Sequence, residues 1–86
     1  MPYLSPYERS KFDEVVSLIH RLDISGGGEL NYLFTELGKR FIQCHGESYG
    51  HYQDIVGALE CCKLELYRRK ISGYEDTKIT KNGDVY

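Results

Sequence analysis

The candidate side chains in this 86-residue chain for binding zinc, or for pairing as nucleophile and base, are Cys44, His45, His51, Cys61 and Cys62. Their spacing suits neither task. No C-x-x-C or H-E-x-x-H pattern occurs. The adjacent pairs Cys44/His45 and Cys61/Cys62 would each point about 100° apart on a helix, a poor start for one tetrahedral ion. No metal and no cofactor are expected, and the cysteines read as small core or surface residues. No nucleophile motif, carboxylate pair or cofactor fingerprint stands with them, so no enzyme is expected.

A second chemical feature is the stretch Ser25-Gly26-Gly27-Gly28-Glu29-Leu30-Asn31, just before a helical pattern. A helix N-terminus offers free N–H groups and partial positive charge, and glycines would let a phosphate approach. The stretch lacks the Lys-Ser/Thr ending of a P-loop, no strand precedes it, and Glu29 is itself an anion suited to the dipole. A hinge between two helices is therefore the preferred reading.

The third feature is basic and aromatic. Lys63 lies about 20° from Tyr52 on an apolar stripe, where a lysine snorkels to solvent, pairs with Glu60 or meets an anionic ligand. Arg68, Arg69 and Lys70 follow, flanked by Tyr67 and Tyr74. Arginine forks grip phosphates and tyrosines stack on bases. Lys63, Tyr67, Arg68, Arg69 and Tyr74 thus form a candidate site for a small nucleotide-like anion. The plainer reading is structural. Glu65 stands three and four residues before the two arginines, at intrahelical pairing distance, and cations suit a helix C-terminus.

Three helices must position these residues. Ser5-Pro6-Tyr7-Glu8 fits a capping box, and Phe12, Val15, Val16, Ile19 and Leu22 follow at helical spacing, which predicts helix one over 5–23. Leu30, Leu33, Phe34, Leu37 and Phe41 predict helix two over 28–46, with Gly46 as its stop. Ser48 caps helix three, predicted over 48–71, whose main stripe is Tyr52, Ile55, Val56, Leu59, Cys62 and Leu66. Gly57, Cys61, Leu64 and Arg68 fall on roughly the opposite side. A helix that is apolar or small on two faces predicts burial on two faces, one against its own chain and one against a second copy. From Gly73 the helical stripe stops. Asn82-Gly83 is a turn signal, so 73–86 reads as an irregular arm, either a short hairpin or an extended segment. The expected fold is all-α, with helices two and three as an antiparallel hairpin.

Composition sets the outer limits. With 41% hydrophobic and 28% charged residues, the chain has a soluble globular balance. A net charge of -2 argues against binding long nucleic acid through its phosphates. No membrane-spanning run is present, and MPYLSPYERSKF lacks the apolar core of a signal peptide. Three cysteines, an odd number in no disulfide-rich pattern, fit a reducing cytosol. One small domain has a thin core, which favours a partner subunit.

The opening MPY, the central GELNY, the run GALECCKLELYRR and the ending YEDTKITKNGDVY resemble a family of small uncharacterised proteins of bacteriophages, prophages and their bacterial hosts. The resemblance covers nearly the whole chain and is most specific over 57–69 and 74–86. Gly73 departs from the pattern, where proline is commoner, and the Gly26-Gly27 pair is less usual. The resemblance implies a phage or prophage setting and a place in the host cytosol. It brings no activity and no catalytic residues. Two readings of function follow. One is a non-enzymatic homo-oligomer that sequesters a small anionic nucleotide-like signal at a subunit junction. The other is a module that binds a host or phage protein through its tail or helix faces.

Overall fold

Local sequence signals decide where this chain starts and stops its helices. The computed structural model describes residues 3–86. Ser5 opens the first helical stretch as expected. Its hydroxyl accepts from the Glu8 N–H at 3.2 Å, and the Glu8 carboxylate accepts from the Ser5 N–H at 3.3 Å. The stretch runs as α1 (Pro6–Arg9), a 3₁₀ turn (Ser10–Phe12) and α2 (Asp13–Ile19). It stops four residues short of the expected end at Asp23, so helix one over 5–23 is too long. Beyond Ile19 the bonds tighten to the i−3 type, Arg21 N–H to Leu18 C=O at 3.0 Å and Leu22 N–H to Ile19 C=O at 3.1 Å.

The glycines then start α3 (Gly27–His45). Gly26 supplies the first carbonyl, accepting from the Leu30 N–H at 3.2 Å, and Glu29 reaches back to the Ser25 N–H at 3.0 Å. The far end matches the expectation: Gly46 adopts φ 90° and donates its N–H to the Ile42 carbonyl at 2.7 Å. An L-residue pays for that left-handed conformation and glycine does not. Ser48 caps the next helix by accepting from the His51 N–H at 3.1 Å.

From Tyr49 the backbone stays helical through Asn82, as α4 (Tyr49–Leu66), a π-helical turn (Tyr67–Ile71) and α5 (Ser72–Asn82). The expected irregular arm over 73–86 is thus corrected: only the residues from Gly83 onward are non-helical. One glycine in a helix costs about 1 kcal/mol, which a turn of good local contacts offsets. Asn82-Gly83 is a helix stop and not a hairpin turn: Gly83 takes φ 83° and donates to the Ile79 carbonyl at 2.8 Å. The all-α class and the three helical stretches hold.

The chain divides into two units, Met1–Leu37 and Gly38–Tyr86. In the second, the last turns of α3 meet the start of α4. A side chain at Gly38 would touch Ile55 at 3.5 Å, and the Phe41 and His51 rings lie edge to face at 6.0 Å. Phe41, Ile42, His51 and Ile55 are half-buried there. Among the described residues no side chain is fully buried.

Gly73 and Gly46 differ in a way that stability measurements detect. Gly73 has helical backbone and open space where a Cβ would sit. Gly73→Ala is expected to stabilise by about 0.5–1 kcal/mol in urea unfolding followed by circular dichroism. Gly46→Ala, at positive φ, is expected to destabilise by about 1–2 kcal/mol. A loss of stability in Gly73→Ala would contradict a continuous helix from Tyr49 to Asn82.

Candidate functional site

The π-helical turn falls on the basic cluster. Its defining bond runs from the Ser72 N–H to the Tyr67 carbonyl, five residues back, so the helix there is wider by one residue. Such turns are rare and recur at functional sites. This one holds Tyr67, Arg68, Arg69 and Lys70.

Each of the five expected ligand-binding side chains has a partner on its own helix. Lys63 Nζ lies 3.0 Å from Glu60 Oε1, and its side chain is 66% exposed. Arg68 Nη2 lies 3.0 Å from Glu65 Oε1, and Arg69 Nε donates to the same oxygen. The Tyr67 hydroxyl donates to Glu75 Oε1 at 2.6 Å across the π turn. The Lys78 ammonium sits 5.5 Å from the centre of the Tyr74 ring. The structure brings Tyr67, Arg68 and Arg69 into one helical segment. Lys63 stands a full turn before it, engaged with Glu60.

Glu75 and Lys78 are the members the sequence reading missed. Tyr74 and Lys78 are spaced i, i+4, a signal that becomes visible once the tail is helical. The hydrogen bond to the Glu75 carboxylate holds the Tyr67 phenol above the usual tyrosine range, with desolvation and the carboxylate's charge adding to it.

The Gly57, Cys61, Leu64 and Arg68 face of α4 is open. Nothing lies within 4 Å of a Cβ built at Gly57, Cys61 is an exposed free thiol, and Leu64 is 56% exposed. Ile55, which meets Gly38, lies about 160° round the helix from Gly57.

The remaining candidates separate. At the α3–α4 turn the His45 and His51 rings are 5.5 Å apart, and Phe41 is 4.5 Å from His45. His51 Nδ1 lies 2.8 Å from the Gly46 carbonyl oxygen, which requires that nitrogen to donate. Among the described residues no three His, Cys, Asp or Glu side chains gather as metal ligands. Around the glycines a cleft of about 340 Å³ is lined by Leu22, Asp23, Ile24, Gly28, Glu29, Tyr32 and Leu33. Glu29 covers the helix start there, and a carboxylate at that point repels a phosphate. Among the described residues no helix is long and apolar enough to cross a membrane.

The chain belongs to a family defined by a domain of unknown function, DUF6899, whose model matches residues 1–85. No curated protein and no solved structure matches it.

The Tyr67–Glu75 bond has a pH signature. A folded-state value above the unfolded one contributes stability that is present below about pH 10 and is lost as pH rises through the raised value. Tyr67→Phe is expected to remove a late-ionising phenol from the near-ultraviolet titration, and Glu75→Gln to return it toward the other tyrosines. Identical late phases in wild type and Tyr67→Phe would show that the bond is absent.

Proposed function

We propose that this member of the DUF6899 family is a non-enzymatic binding protein whose working form is a homo-oligomer. The observation that carries the proposal is the absence of any fully buried side chain among the described residues, beside the many large apolar ones left in water. On α4 alone, Val56 is 66% exposed, Leu59 44% and Leu66 55%, beside the Leu64 already described. Burying a fully exposed side chain of this kind is worth about 1.5–3 kcal/mol, so covering what remains of each is worth roughly half of that. Several such residues amount to the scale of a whole domain's stability, about 5–15 kcal/mol. Association of copies realises that free energy, and it answers the two-faced pattern of α4. The phage-type resemblance of the chain supports a phage or prophage setting in a host cytosol.

The π-helical turn favours a second element of the reading. Its coincidence with Tyr67, Arg68 and Arg69 supports a small nucleotide-like anion as the ligand, held where copies meet. Such an anion competes with Glu65 for both arginines. Exposed intrahelical pairs are worth about 0.3–0.5 kcal/mol, so the competition is an easy one.

Native mass spectrometry of gently purified protein tests assembly and ligand together. The expected result is an oligomer, with added mass of nucleotide size when ligand is retained. Leu64→Glu is expected to yield monomer. A wild-type monomer at micromolar concentration would end the proposal. Arg69→Ala is expected to keep the assembly and lose the added mass, and equal retention would remove the basic turn from the ligand site.

A further inference from the structure

The open face of α4 is complementary to itself. Asp54, Gly57, Cys61 and Leu64 share this face at about 100° per residue. Arg68 is only the second residue of the π turn and remains near it. Asp54 is exposed and makes no hydrogen bond or ion pair among the described residues. Arg68 is 68% exposed on its side chain and is held only by the weak i, i+3 contact to Glu65. Asp54 stands seven residues before Cys61, and Arg68 stands seven after it.

That symmetry fixes an arrangement. We infer that a second copy of this chain docks on this face with its α4 antiparallel, the two helices crossing at Cys61. A two-fold axis through Cys61 sets Asp54 of each copy opposite Arg68 of the other, forming two equivalent ion pairs. It also sets Leu64 of each copy beside Gly57 of the other, where the missing Cβ leaves room. The parallel arrangement sets Asp54 against Asp54 and Arg68 against Arg68, and like charges reject it. The contact spans about 21 Å of helix at 1.5 Å per residue, enough to fix register at both ends. The inference rests on the homo-oligomer reading above and adds the partner, its direction and its crossing point.

Cysteine cross-linking tests it, because Cys61 and Cys62 are neighbours that point about 100° apart. Two full-length variants each retain one of this pair: Cys44→Ser with Cys62→Ser, and Cys44→Ser with Cys61→Ser. A short bis-maleimide is expected to convert the Cys61-only protein to covalent dimer and to leave the Cys62-only protein largely uncoupled. Equal coupling of both, or none in the Cys61-only protein while native mass spectrometry still shows an oligomer, overturns the antiparallel crossing and leaves the oligomer reading standing. A monomer by native mass spectrometry overturns both. Charge exchange checks register independently. Asp54→Arg is expected to weaken self-association by about tenfold or more, and Asp54→Arg with Arg68→Asp to restore it. No restoration in the double variant overturns the Asp54–Arg68 pairing.

Discussion

The hydrophobic burial requirement governs this chain, because its own fold leaves that requirement unmet. Apolar area in water is unfavourable by about 25 cal/mol per Å². A three-helix chain ordinarily meets this by turning one stripe of each helix inward. Within the second unit α3 and α4 make that arrangement near their connecting turn, where Gly38 admits Ile55 and Phe41 meets His51. Leu64 and Val56 lie elsewhere on α4 and stay open. A small chain has little material to wrap round a helix that is apolar on two sides, and in the proposed homo-oligomer a second chain supplies the cover.

In the proposed assembly, electrostatics decides register more than strength. Surface ion pairs contribute little free energy, yet mismatched charges are costly enough to exclude wrong registers. The middle of the long helix is rich in such pairs. Glu60 with Lys63, and Glu65 with Arg68 and Arg69, occupy one run of ten residues from 60 to 69. Asp54 stands outside that network. The network is self-sufficient in an isolated helix, and each of its members can exchange partners at small cost. That property suits a surface that changes neighbours when copies meet or an anion arrives.

The sequence made the capped ends legible and left the uncapped ones obscure. Ser5 with Glu8, Gly46 and Ser48 each act through one local hydrogen bond or one backbone angle, and each sits where its residue type predicts. The end of α2 was misjudged because Leu22 continues the apolar period after the backbone has already tightened. The tail was misjudged for a related reason. Gly73 and Asn82-Gly83 are both breaker signals, but only Gly83 has the positive φ that breaks a helix. Periodicity over 74–82 is too polar to advertise a helix, and its supports, the Tyr67–Glu75 bond and the Lys78–Tyr74 contact, join residues across the segment. The candidate site was half legible. The basic residues and their Glu65 partner follow from i, i+3 and i, i+4 spacing, whereas a π turn has no local signature of that kind.

The π turn also changes the register of the long helix. Inserting one residue into a helix rotates everything beyond it by about 100° relative to the α-helical register. In α4 the face that carries Cys61 and Leu64 is set by α-helical spacing alone. Beyond Ile71, α5 restarts on a different register, so its Glu75 comes within reach of Tyr67 at a spacing of eight residues. The bond across the turn holds the restart in place. The Tyr67 hydroxyl is thereby engaged by Glu75, and Arg68 and Arg69 follow it in the turn. Arg68 thus stands both near the Cys61 and Leu64 face of α4 and within the basic turn.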